Sequence, residues 1–262
     1  MDISSIFGIV FGIGMILCGM MLEGGTISDV TQLTAAFIVY GGTIGAVIVS
    51  FPVPDLIGAL KALSIVFGPD KNDSKAVIQE IIGFATKARK EGVITLEKEA
   101  KNTNDPLMKM GLEAVSDGAD PHLVRDLLET KLAQMEEQRT RVSKVWESAG
   151  AISPTIGIIG AVMGLIQVMK NLSDPSALGA GIAVAFVATV YGLIFANIFC
   201  IPFSTKIKFK TKAEFLAKEM IIEGILAIQA GESPALIERK LQAFLLENEE
   251  KSAAGEVKEA KA

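Results

Sequence analysis

Ser148–Met169 reads SAGAISPTIGIIGAVMGLIQVM, 22 residues without a charged side chain. About 20 apolar residues in helical form cross a hydrocarbon core of about 30 Å. Three further stretches share this character: Ile3–Leu22 with 20 residues, Val30–Phe51 with 22, and Pro175–Thr205 with 31. Half of the 262 residues are apolar and the mean hydropathy is +0.44, yet 21% are charged. The charged and apolar populations are segregated along the chain rather than interleaved. This excludes an ordinary soluble globule and predicts an all-α integral membrane protein with four transmembrane helices in two hairpins.

The basic residues orient the hairpins. Of 25 Lys and Arg, 14 lie between Pro52 and Glu147, 10 follow Phe203, and only Lys170 lies elsewhere. The short turns Glu23–Asp29 and Lys170–Asp174 are acidic or nearly neutral. Basic loops stay on the cytoplasmic side, so the middle segment, the tail and both termini are expected in the cytoplasm. The predicted organisation is a first hairpin at 1–51, a helical cytoplasmic domain with an interfacial helix at 52–147, a second hairpin at 148–203, cytoplasmic helices at 204–247 and a disordered tail at 248–262. The first span lacks a basic leader and a cleavage site, and is expected to stay in place.

The charged segments read as helices. Leu56, Leu60, Leu63 and Phe67 follow helical spacing after Pro52 and Pro54, either along the membrane surface or packed on neighbours. Val77, Ile78, Ile81, Ile82, Phe84 and Ala85 repeat with a 3.6-residue period up to a stop at Gly92. Asp105–Pro106 and Asp120–Pro121 each read as a cap followed by a first-turn proline. The second of these opens a helix that runs through Trp146, at an expected membrane interface, into the third span, where Pro154 bends it. In the tail, Phe215, Leu216, Met220, Ile221 and Leu226 share one face up to Gly231, and Ser233–Pro234 caps a last helix.

A pI near 5.1 argues against nucleic acid as a partner. Cys18 and Cys200 fall in separate spans and frame neither a disulfide nor a metal site. There is no nucleophile–base pair, metal-ligand cluster or nucleotide loop. His122, the sole histidine, is expected at a surface helix start. A non-enzyme without metal or cofactor is therefore expected.

The informative feature is an absence. No Asp, Glu, Lys, Arg or His lies within any of the four spans. Proteins that move protons normally place an ionisable group at membrane depth, so either this chain moves no ions or a partner supplies the acid. The last two spans still carry Thr155, Gln167, Thr189, Tyr191 and Asn197, with Pro154 and Pro202. Three pairs of glycines at four-residue spacing (Gly8 and Gly12, Gly41 and Gly45, Gly160 and Gly164) suit close helix approach, within one chain or between copies.

The run Ser153-Pro-Thr-Ile-Gly-Ile-Ile-Gly-Ala-Val-Met-Gly-Leu165 resembles the third-span motif of the MotA family of flagellar stator subunits. Leu178–Gly192, LGAGIAVAFVATVYG, resembles its fourth span, with Pro202 in the place of that span's proline. Lys87–Glu97, KARKEGVITLE, resembles the charged segment of its cytoplasmic domain. The order of spans, insert and tail also matches over residues 1–247.

The resemblance implies a pentameric ring of this subunit around a MotB-like single-span partner. That partner brings the intramembrane aspartate and a peptidoglycan-binding domain, and the ring drives the rotor protein FliG. It also implies an ion path at Pro154, Thr189 and Pro202, with Thr155 nearby, and rotor contacts at Arg89 and Glu97. Sodium-type relatives carry a Thr where this chain has Ala161. A methyl offers sodium no ligand, so protons are the expected coupling ion. The expected location is the bacterial inner membrane, surrounded by lipid. An ExbB- or TolQ-like energiser of envelope transport remains the alternative, although those relatives have three spans, and a plain membrane scaffold is the third reading.

Overall fold

A computed structural model describes residues 2–69, 74–170 and 175–245, and every regular element among these is helical. The elements are α1 (Ile3–Leu22), α2 (33–50), α3 (Val53–Lys61), α4 (Leu63–Phe67), α5 (Ser74–Glu91), α6 (Leu96–Asn102), α7 (Pro106–Ser116), α8 (Pro121–Lys170), α9 (175–229) and α10 (234–245). Four of them, α1, α2, α8 and α9, contain stretches long and apolar enough to cross a membrane. The expected disordered tail and the turn after Lys170 lie outside the described residues.

The signals read from the sequence at Asp105 and Gly92 act as anticipated, and Asp2 adds a further cap. Asp2 caps α1, its carboxylate accepting the Ser5 N–H at 3.3 Å. Asp105 caps α7 by accepting from Leu107 N and Met108 N at 2.9 and 3.2 Å. Gly92 adopts φ +88° after α5, a conformation that L side chains rarely tolerate. Pro154 sits inside an unbroken α8.

The chain divides into two compact units. The first comprises the described residues 2–69, 139–170 and 175–210. It holds the apolar helices, and its outward face is greasy: Phe7, Val10, Phe11, Phe37 and Phe186 are all exposed. Inside, association in lipid depends on close packing of small residues rather than on hydrophobic burial. A Cβ on Gly160 would lie 2.6 Å from Ala188 Cβ, and one on Gly164 would lie 2.7 Å from the Gly181 carbonyl oxygen. This glycine pair therefore serves packing within the chain. Gly8, Gly41 and Gly45 meet no atom within 4 Å.

Tertiary contacts add three details here. Within the second candidate span, Ile27–Ser50, regular α-helix begins at Leu33, and the Tyr191 hydroxyl donates to Val30 O at 2.6 Å and accepts from Gln32 N at 3.2 Å. Those bonds hold the link before α2 in extended form. After the second span, Leu56, Leu63 and Phe67 pack half-buried against a core that includes Ala59, Ala62 and Val66, while Leu60 is exposed. Trp146 is half-buried among helices, its Nε1 donating to Ala59 O at 2.9 Å and its ring edge-on to Phe203 at 5.3 Å.

The second unit comprises the described residues 74–138 and 211–245. It has a core of the soluble type, with Ile81, Leu96, Leu107, Leu112, Leu128, Ile225, Ile237 and Leu241 fully buried. Removing such side chains from water is the main favourable contribution to its folding. Lys218 is buried in this unit, and its ammonium reaches Asp105 at 3.0 Å. Asp105 thus caps α7 and neutralises a buried cation with the same carboxylate.

Candidate functional site

The third and fourth spans approach closely around two further glycines. A Cβ on Gly157 would lie 3.0 Å from Ala188 O and 3.3 Å from Thr189 Cα. One on Gly192 would lie 2.7 Å from Ser153 O and 3.2 Å from Pro154 Cα. The backbones of Pro154 and Thr189 are thereby brought to opposite sides of one helix crossing. The buried Ser153 hydroxyl ties the crossing by donating to Gly192 O at 3.1 Å. Nothing in the sequence marked Ser153 as more than a motif residue. Its polarity in an apolar run was the available signal.

Pro154 has no N–H, so the Gly150 carbonyl one turn earlier loses its usual helical donor. Thr189 is half-buried and donates to Ala185 O at 3.3 Å, near the limit of a hydrogen bond. Thr155 donates to Ile152 O at 2.6 Å and is exposed. The Thr155 hydroxyl is thus engaged by its own helix, whereas Thr189 is held loosely. Ala161 lies one turn beyond Gly157 on the same helix and is half-buried.

Pro202 is not part of this crossing. Thirteen residues of helix separate it from Thr189, about 20 Å along the axis. It is exposed and lines a groove against α1 with Ser4, Gly8, Gly12, Asn197 and Lys206.

A widened, π-type turn occurs in each of two spans, at Phe37–Gly41 and Phe195–Cys200. Such turns are rare and gather at functional sites. The two meet: Tyr40 stands edge-on to Phe195 at 5.2 Å and stacks on Tyr191 at 5.8 Å. Asn197 contributes to the second turn by donating its amide to Leu193 O at 2.9 Å.

In the second unit, Arg89 and Glu97 occupy the end of α5 and the start of α6, joined by Gly92 and a short turn at Val93–Thr95. Both are exposed. Glu97 pairs with Lys101 at 2.9 Å, which draws its carboxyl below the ordinary value. Arg89 makes no ion pair among the described residues. Lys87 and Glu99 form a neighbouring pair at 2.7 Å. Exposed pairs contribute little to stability. His122 is exposed at the start of α8. No group of three or more potential metal ligands occurs among the described residues.

Residues 6–92 match the motility protein A N-terminal family, and residues 99–220 match the MotA/TolQ/ExbB proton channel family. Motility protein A of Treponema phagedenis is 37% identical over 245 residues, 94% of each chain. That of Aquifex aeolicus is 38% identical over 250 residues, 94% of this chain and 97% of its own. Among solved structures, the C. jejuni MotAB structure superposes with a TM-score of 0.87 at 31% identity, over 93% of this chain and 96% of that one. The flagellar MotAB stator complex from Bacillus subtilis superposes at 0.86, also at 31% identity, over 96% and 100%. The N-terminal match includes the first hairpin, which favours the motility branch over the three-span energisers. The chain therefore belongs to the MotA/TolQ/ExbB proton channel family, as a motility protein A.

Proposed function

We propose that this chain is the MotA-type ring subunit of a flagellar stator, converting a proton gradient into torque without covalent chemistry. The carrying observation is the combination of four spans devoid of acids with a close helix crossing that joins Pro154 to Thr189. A helix from a MotB-like partner, bearing the intramembrane aspartate, completes that crossing. The loosely held Thr189 hydroxyl meets the partner's carboxyl. The carbonyl released by Pro154 offers a second acceptor in the same region. Ala161 adds no oxygen there, which favours a proton over a sodium ion. Thr155 borders the path, and Pro202 acts at its basic-rich end.

Five copies form the ring in the bacterial inner membrane, with lipid around it and both termini in the cytoplasm. The ring's cytoplasmic part, residues 52–147 and 204–247, carries Arg89 and Glu97 to the rotor protein FliG. The partner's ionised aspartate is a charge that these spans, which hold no basic residue, cannot neutralise; protonation removes it, and the ring steps as the carboxyl alternates between the two states. The π-type turns at Phe37–Gly41 and Phe195–Cys200 supply places where the helices can adjust.

The test is reconstitution. The chain alone in sealed vesicles is expected to hold a pH gradient, and co-reconstitution with its MotB-like partner is expected to release it. Robust proton flux through the chain alone overturns the reading.

A further inference from the structure

The groove at Pro202 has a volume of about 350 Å³ and is lined on one side by Ser4, Gly8 and Gly12 of α1 and on the other by Asn197, Pro202 and Lys206 of α9. One end is polar. There the Asp2 carboxylate receives Lys206 Nζ at 2.7 Å and Lys210 Nζ at 2.9 Å, and Lys206 also donates to Ser4 Oγ at 3.1 Å. Beyond that end, residues 204–210 carry three lysines and no acid, Lys208 being paired with Glu147 at 2.6 Å. The other end is apolar and narrow enough that a Cβ on Gly12 would already lie 3.7 Å from Ile198 Cδ1. From Ser4 to Gly12 the helix rises about 12 Å, close to the depth of hydrocarbon in one leaflet of a core about 30 Å thick.

We infer that this groove binds one anionic glycerophospholipid, its phosphate at Lys206 and one acyl chain along Gly8 and Gly12. This rests on the functional reading only for orientation, which sets the lipid in the cytoplasmic leaflet. Three features favour lipid over protein as the occupant: a cationic mouth, an apolar trough without further hydrogen-bonding demand, and a length that matches one leaflet. Basic pockets between transmembrane helices on this side of a membrane are suited to lipid phosphates. Pro202, one turn from Lys206, then shapes a lipid site, and its effect on the motor would pass through the packing of α1 on α9.

Native mass spectrometry of the delipidated full-length chain, re-exposed to phosphatidylglycerol, phosphatidylcholine or soluble glycerol phosphate, tests this. The chain should retain phosphatidylglycerol in preference to phosphatidylcholine and should not retain glycerol phosphate. Gly12→Leu fills the trough and Lys206→Gln discharges the mouth. Each should reduce phosphatidylglycerol retention about fivefold or more. Asp2→Asn, which keeps the helix cap and frees both lysines, should increase it, a gain that misfolding cannot produce. Gly19→Leu, away from the groove, should leave it unchanged.

Equal retention of the two lipids by the wild type overturns the proposal, as does unchanged retention in both the Gly12 and Lys206 variants. A disulfide between Gly12→Cys copies in a Cys18→Ser background would assign the groove to a subunit seam instead. Motility complementation by the wild-type chain separates the outcomes: swimming without lipid preference sinks the lipid site alone, and failure to swim sinks the stator reading.

Discussion

Gly157 and Gly192 face each other across the third and fourth spans so closely that a Cβ on Gly192 would stand 3.3 Å from the Gly157 Cα. The same Cβ would meet Ser153 O at 2.7 Å. Both atoms belong to backbone that cannot rotate away. Gly192→Val should therefore separate the two helices at a cost of about 1–3 kcal/mol and abolish ring assembly. Size-exclusion chromatography of the solubilised variant checks this. Gly45→Ala, where no atom lies within 4 Å in the single chain, should leave the fold of the subunit intact by the same measurement.

Pro154→Ala restores a helical donor to the Gly150 carbonyl inside an otherwise continuous helix. Expression, membrane insertion and co-purification with the partner should stay at wild-type levels, while swimming in soft agar should stop. Thr189→Ser should keep partial motility and Thr189→Val should lose it, because only the former retains a hydroxyl. Equal motility of the two Thr189 variants would remove the hydroxyl from the ion path.

With Ala161 in the third span, swimming speed should follow the protonmotive force. Replacing sodium with potassium in the medium should leave speed unchanged, and a protonophore should stop rotation within seconds. Tethered-cell measurements give both outcomes directly. A speed that rises with external sodium would contradict the proton assignment.

Arg89→Glu and Glu97→Lys reverse exposed charges in the second unit. Each should leave the thermal unfolding of the purified protein within about 0.5 kcal/mol of wild type, since surface substitutions rarely do more. Torque should fall in each, most clearly in the double variant. Restoration of torque by compensating charge reversals on the rotor protein would identify the contact; a drop in stability instead would mean that these residues are structural.

Asp2 ties the start of α1 to Lys206 and Lys210, and with the Ser4 hydroxyl they hold its carboxyl well below the usual carboxylate range. A depressed carboxyl stabilises the fold above its unfolded value, about 3.9, and that contribution is lost only as pH falls through the lower folded value. Asp2→Asn should therefore cost about 1–2 kcal/mol, and the gap from wild type should be the same at pH 7 and pH 5. Thermal melts in detergent at the two pH values provide the comparison; the absence of a gap at either pH would indicate an ordinary, unpaired carboxyl.

The uncharged runs alone account for the four spans, because apolar length and the cost of burying charge in hydrocarbon are properties of the chain before it folds. α1 matches its uncharged run residue for residue, and the caps at Asp105 and the stop at Gly92 are equally local, set by one side chain or one positive φ. The acid-free character of the spans, and with it the choice between a chain that moves no ions and one whose partner supplies the acid, was likewise visible without coordinates. Tertiary contact was needed for everything that joins distant residues. Tyr191 ties the segment before α2 through hydrogen bonds to residues 159 and 161 positions away in sequence. The two π-type turns meet through Tyr40 and Phe195, although neither stretch departs from an ordinary apolar pattern. Pro154 and Thr189 flank one helix crossing while Pro202 does not, since that depends on which small residues let two backbones touch. Helix choice follows from local energies of a few residues, whereas helix pairing in lipid follows from shape, and shape exists only once the partners have met.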